Sequence, residues 1–246
     1  MPEALIGHKN IAAAVEGLRH LSVNYDEAHA PVAQQPGTWH IDNSRVPIGH
    51  EPAGPPVRGG AWEIACRLVR DYEFADPAIV RAVYRPTDEL LGRDMLLEAR
   101  FLVWRFYLGV RVTEVVDETR DAERVWGWGY QTLEGHLEQG KLVYEVIKDV
   151  QSGRVDLRIR AYSRRAPVPN PILRLGFAVF GRRTQLRFYA AVGQRLRNTV
   201  QAILHGASPP TPAVTSDGLV VAPSGLYRHP LERFTVHSHQ PGGSTW

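Results

Sequence analysis

The 246-residue sequence predicts an α+β fold: a curved antiparallel sheet of about five to seven strands, helices ahead of it, and one long C-terminal helix packed on it. Three observations predict this. Apolar residues recur with period two from about residue 78 to residue 162. The breaks between those runs are too short for the crossovers that parallel neighbours need. Leu186, Tyr189, Gly193, Leu196, Val200 and Ile203 recur every three or four residues near the end.

The elements follow in order. Ile11, Val15, Leu18 and Leu21 share one helical face within residues 8–21, which predicts a short amphipathic helix. Residues 30–60 hold six Pro and five Gly without a sustained period and read as an irregular connection, with one short strand at Trp39–Ile41. Trp62, Ala65, Cys66, Val69 and Tyr72 predict a helix over 61–73, starting just after Gly59-Gly60. Leu97, Ala99, Phe101 and Val103 then alternate with Glu98, Arg100, Leu102 and Trp104, and a valine-rich run follows Gly109. This predicts two strands with a bend near Tyr107–Gly109. Further strands are predicted over 124–133, Leu142–Val150 and Val155–Tyr162, the last two joined by a turn at Ser152-Gly153. Pro167, Pro169 and Pro171 end the pattern, and the last helix runs over 183–204 to His205-Gly206. Residues 1–205 thus read as a single domain. Residues 206–246 read as a Pro-rich tail, docked or flexible, with Leu219-Val220-Val221, Leu226-Tyr227, Leu231 and Phe234 as its apolar side chains.

Composition narrows the function. Apolar residues make up 43% and charged residues 22%, which excludes global disorder and a coiled-coil rod. The net charge is +3 and Lys occurs only at 9, 141 and 148, so the cationic side chains are nearly all Arg, suited to forked recognition of carboxylate or phosphate. Acidic residues are interspersed and the net charge is small, so Arg183, Arg187, Arg195 and Arg197 of the last helix do not predict a nucleic-acid partner. The single Cys66 excludes a disulfide framework and a Cys-based zinc site; with no signal-like stretch in Met1–Asn10, a cytoplasmic protein is expected. The longest apolar candidate, Ile172–Phe180, is interrupted by Arg174 and Gly176, so no membrane association is expected. No phosphate-binding loop, HExxH pair or nucleophile elbow occurs, and no cofactor or metal is expected. His237-Ser238-His239 has the spacing of some metal pairs, but only Asp217 and Glu232 are nearby carboxylates.

Chemistry-bearing residues concentrate in Gly127–Gly140. Tyr130, Thr132, Glu134 and His136 are spaced by two, so an uninterrupted strand puts all four on one face, where a carboxylate beside an imidazole serves acid–base work. Glu134, His136 and Tyr130 are the candidate catalytic residues, with Trp128 as a candidate binding residue. The alternative is a bulged strand in which His136 satisfies a buried carbonyl and Gly135 places the turn. A second candidate is the stripe of Asp156, Arg158, Arg160 and Tyr162: either the solvated face of a one-sided sheet, or Arg158 and Arg160 as forked donors to an anion, with Glu145 or Lys148 on the next strand setting the polarity. Glu98 and Arg100 are a third, on another strand.

The segment Gly129-Tyr130-x-Thr132-Leu133-x-Gly135-His136 resembles the G-Y-x-T-L-x-G-H core of the DUF1990 family. Asn24-Tyr25 is similar to that family's early aromatic motif, and Arg45-Val46-Pro47-Ile48-Gly49 to its R-x-x-x-G segment. Tyr162-Ser163-Arg164, Leu175-Gly176 and the Arg-rich last helix are similar to its C-terminal half. Asp71–Pro77 and Gly127-Trp128 look like the actinobacterial branch. The resemblance spans about residues 20–205 and implies a fold and candidate residues rather than a reaction, since the family has no established general activity.

Three function classes are open. The first is an enzyme, or enzyme subunit, of secondary metabolism that performs acid–base-assisted elimination, displacement or cyclisation on a small polar anionic metabolite; aziridine closure, associated with proteins that look like this one, is one instance. The second is a non-catalytic ligand-binding or carrier module of the helix-grip kind. The third is an interaction subunit that holds a protein partner through the tail and the Arg-bearing helix. Convergence of Glu134, His136 and an Arg in an enclosed pocket favours the first; an apolar interior with those side chains turned away favours the second.

Overall fold

The period-two runs pair into one sheet in the computed structural model, which describes residues 10–30, 39–101, 104–166, 171–225 and 236–239, and the backbone alone at 29, 101, 104, 171–186 and 236–239. In chain order the elements are α1 (Ile11–Gly17), β1 (His40–His50), α2 (Ala61–Arg70), β2 (Val80–Tyr84), β3 (Asp94–Phe101), β4 (Trp104–Arg120), β5 (Glu123–Thr132), β6 (Glu138–Asp149), β7 (Arg154–Arg165), α3 (Pro171–Leu204), β8 (Ala213–Val214), β9 (Val220–Ala222) and β10 (Val236–His239). The strands are ordered β1-β7-β6-β5-β4-β3-β2-β9-β8, all antiparallel, and β10 adds to β4 in parallel. Irregular registers at Val112/Glu114 and Pro47/Gly49 are the bulges at which such a sheet bends.

Alternation along the strands separates two cores. The inner face, carrying Tyr84, Val110, Trp128, Tyr144 and Leu157, packs under α2 and α3. Trp62, Ala65, Leu68 and Val69 of α2 and Phe188, Val192, Leu196 and Val200 of α3 are the three-and-four-spaced residues that the amphipathic pattern requires. The outer face carries a smaller core in which Ile11, Val15 and Leu18 cover Val83, Leu96, Tyr107 and Leu133, joined by Leu219 and Val221. Each fully buried aliphatic side chain contributes about 1.5–3 kcal/mol. The α+β fold with a long helix gripped by an antiparallel sheet is therefore the observed architecture.

The expected strand count of five to seven is too low; the described residues form ten. β1 runs for 11 residues, not three, because an edge strand made of polar residues is held by backbone pairing to β7 and shows no apolar period. β8 and β9 come from the Pro-rich segment beyond 205, where Val220–Ala222 extends the sheet beyond β2. The bend expected at Tyr107–Gly109 falls inside β4 instead, since β3 ends at Phe101 and β4 begins at Trp104. α3 begins at Pro171 rather than 183: residues 172–180 are too uniformly apolar to show a stripe, and Pro is well placed in a first helical turn. α3 lies against β1 closely enough that a Cβ on Gly193 would stand 2.9 Å from Val46 Cγ1. The apolar residues Leu226, Tyr227, Leu231 and Phe234, with Glu232, lie outside the described residues, as do the side chains of Arg183, His237 and His239.

Candidate functional site

The Gly127–Gly140 segment is not one strand. β5 stops at Thr132, and Leu133–Leu137 form a turn in which Gly135 has φ +81°, a conformation that side chains with a Cβ resist. Glu134 is exposed, and its carboxylate accepts from the Ser22 amide at 3.2 Å. His136 is buried; the Glu138 amide donates to its Nδ1 at 2.9 Å. The N-terminal segment clamps this turn. Thr132 Oγ1 donates to Asn24 Oδ1 at 2.7 Å, Asn24 Nδ2 donates to the Glu138 carbonyl at 2.9 Å, and the Asn24 amide donates to the Thr132 carbonyl at 3.1 Å. Of the three candidate catalytic residues, Tyr130 belongs to the inner apolar core.

Tyr130 stands there in an aromatic cluster centred on Trp128. The Trp128 ring centroid lies 5.5 Å from that of Tyr144, 6.2 Å from Tyr130 and 6.3 Å from Tyr72, and Phe74 packs on Tyr144 at 4.6 Å. Trp128 Nε1 donates to the Val69 carbonyl at 3.0 Å, an acceptor at the end of α2 that the Tyr72 amide also reaches at 3.3 Å. Among the described residues, the hydroxyls of Tyr72 and Tyr144 find no polar partner other than one another and Tyr130, although both side chains are fully buried. Buried hydroxyls are nearly always satisfied, so this pair marks a place where a partner belongs. The sequence motif pointed to Trp128 and Tyr130; Tyr72 and Tyr144 carried no signal beyond being aromatic in a helix and a strand.

The remaining candidates lie on the other side of the sheet. Glu145 is fully buried on the outer face, where Arg158 Nε (2.7 Å), Arg160 Nε (3.0 Å) and Arg120 Nη2 (2.8 Å) donate to it. Burial pushes this carboxyl up, but the three guanidiniums outweigh it and hold its pKa at about 2. Arg158 and Arg160 are thus brought together with each other, on the face opposite Tyr130. Glu98 and Arg100 are also buried on the outer face and paired at 2.6 Å. Lys148, which the sequence paired with Glu145 as an alternative, faces inward and donates to Glu51 at 2.7 Å.

Residues 24–195 match the family described as "Domain of unknown function (DUF1990)". The chain belongs to the DUF1990 family. The match begins at the Asn24 that clamps the turn, so in this DUF1990 protein the early aromatic motif and the G-Y-x-T-L-x-G-H core form one hydrogen-bonded unit. No curated protein matches the chain. Among solved structures, similarity is found to a point mutant of Thalictrum norcoclaurine synthase in complex with a transition-state analogue, at 11% identity and TM-score 0.45, covering 71% of this chain and 100% of that one. It is found also to the hypothetical protein jhp0584 of Helicobacter pylori, at 13% identity and TM-score 0.42, covering 72% and 95%. A third is Ara h 8.0201, at 9% identity and TM-score 0.40, covering 67% and 99%.

The chemistry open to the inner core follows from its charge. Burial pushes the phenols of Tyr72, Tyr130 and Tyr144 well above their ordinary range, so they stay protonated and act as donors or general acids, not bases. No described helix is long and apolar enough to cross a membrane. Among the described residues, no three His, Cys, Asp or Glu side chains gather as a metal site.

Proposed function

We propose that this DUF1990 protein binds a small molecule between the inner face of its sheet and α3, against Trp128, with its oxygen or nitrogen acceptors taken by the Tyr72 and Tyr144 hydroxyls. The observation that carries this reading is the pair of buried phenols, with no described hydrogen-bond partner outside the tyrosine cluster itself, beside a buried indole. The rings supply flat apolar contact, and the hydroxyls fix orientation. A binding or carrier role fits this arrangement best. Acid–base-assisted elimination, displacement or cyclisation is the second reading, supported by Tyr130: a phenol kept protonated by burial can donate to a leaving or carbonyl oxygen. In that reading Tyr130 takes the acid role, because Glu134 lies exposed in the turn after β5.

The test uses the neutral naphthalene ketone Prodan, whose carbonyl accepts hydrogen bonds, followed by energy transfer from tryptophan. Binding to the wild type is expected, with affinity lowered about 3- to 10-fold in Tyr144→Phe, the effect of losing one hydrogen bond. No binding, or binding that Tyr72→Phe/Tyr144→Phe leaves unchanged, overturns the reading.

A further inference from the structure

Arg93 immediately precedes β3 and continues its register, on the same face of the sheet as the aromatic cluster. Its carbonyl accepts from the Val112 amide at 2.9 Å, and Val112 pairs with Tyr130, so Tyr130, Val112 and Arg93 form one row across three strands. The Arg93 side chain is 8% exposed. The guanidinium stacks on the ring of Tyr84 at 4.7 Å, and Tyr84 belongs to the inner core. The Tyr84 hydroxyl donates to the Asp71 carbonyl at 3.1 Å, and Asp71 is the chain neighbour of Tyr72. Arg93 is thus tied to the tyrosine cluster from two sides: through Val112 to Tyr130, and through Tyr84 and Asp71 to Tyr72.

A buried cation normally carries a paired carboxylate and a full set of hydrogen bonds. Arg93 has neither. Its one described hydrogen bond runs from Nη2 to the Asp88 carbonyl at 2.9 Å, and its Nε is buried without a described partner. No described carboxylate reaches ion-pair distance from it. The charged and titratable groups that act on it from greater distance are Tyr84, Asp71, Asp88 and Arg70, and burial outweighs them to lower the guanidinium's pKa. Arg70 is engaged over the Trp126 ring at 5.5 Å. Glu145, by contrast, shows how this chain finishes a buried charge: three guanidiniums saturate one carboxylate.

We infer that Arg93 anchors an oxyanion on the ligand, so that the molecule bound against Trp128 and the tyrosines is an aromatic or otherwise flat body bearing one carboxylate or equivalent monoanionic group. This rests on the ligand site proposed above. The forked guanidinium accepts such a group in bidentate fashion, and the protonated phenols take the molecule's neutral acceptors.

Two dyes of nearly the same shape test it: 1-anilinonaphthalene-8-sulfonate and its uncharged analogue N-phenyl-1-naphthylamine. The wild type is expected to bind the sulfonate more tightly. Arg93→Met is expected to lower the ratio of sulfonate to neutral-dye affinity by about 10- to 100-fold, the range for a hydrogen bond to a charged group. Arg93→Lys keeps a charge over Tyr84 but loses the fork, and is expected to lower the ratio less; it carries the test should Arg93→Met fail to fold. Equal affinity of the wild type for both dyes, or a ratio unchanged in the variants, overturns the role of Arg93 and leaves the ligand site standing. Failure of the wild type to bind Prodan or either dye overturns both.

Discussion

Lys148 Nζ donates to Glu51 Oε2 at 2.7 Å, with both side chains withdrawn from water. Glu51 also accepts from the amides of Trp62 (2.7 Å) and Val57 (3.1 Å), so one carboxylate joins β6 to the N-terminus of α2. Lys148 also donates to the Pro55 carbonyl at 2.8 Å. This junction sets where α2 sits over the sheet, and hence where Tyr72, just beyond its end, meets Trp128. Removing one partner strands the other.

Glu51→Ala is therefore expected to destabilise the protein by about 3–5 kcal/mol in urea unfolding, the cost of an uncompensated buried charge. Replacing both partners together, as Glu51→Met/Lys148→Met, is expected to cost less than the two single changes summed. Strict additivity in the double-mutant cycle counts against the pairing.

Tyr72→Phe and Tyr144→Phe are expected to raise stability rather than lower it. Each removes a buried hydroxyl that is costly to leave unpaired, by about 1–3 kcal/mol. A higher denaturation midpoint with weaker Prodan binding is the signature of a binding residue. A lower midpoint marks an ordinary structural tyrosine.

His136→Ala is expected to lower stability, because the Glu138 amide loses its acceptor inside the clamped turn. Glu134→Gln is expected to change stability by less than about 0.5 kcal/mol, as for an exposed side chain. Neither change is expected to alter Prodan affinity in the folded protein; a specific loss in both restores the acid–base pair expected from their spacing.

Glu145 sets a pH dependence. Its pKa is lowered in the folded state to about 2, so its contribution to stability is present above the ordinary carboxylate range and is lost as pH falls toward 2. Glu145→Gln is expected to flatten the acid limb of a stability-versus-pH curve over that window. An unchanged limb removes the three-arginine arrangement as its cause.

Truncation after residue 206 is expected to lower the thermal midpoint. β9 pairs with β2, Leu219 and Val221 fill the outer core, and the Ser224 amide and hydroxyl each donate to the Glu73 carboxylate at 2.9 Å. A truncated protein with an unchanged midpoint shows the segment to be dispensable.

The sequence by itself determined the fold class and the placement of the regular central elements. α1, α2 and β5–β7 have apolar faces whose period is set by the geometry of a single helix or strand, so local spacing is enough to find them. The same holds for the motif that picked out Trp128 and Tyr130. Only the tertiary structure decided what is settled by partners distant in the chain. β1 and β9 exist because neighbouring strands supply their hydrogen bonds. Glu134 is exposed and His136 buried because a turn, locked by Asn24, interrupts the period that places them on one face. Arg158 and Arg160 show the same alternation whether their face meets solvent, a ligand or Glu145, and the register against β6 selects Glu145. Tyr72 and Tyr144 come from segments 72 residues apart, and no periodicity in a linear sequence reports that their buried hydroxyls gather with that of Tyr130.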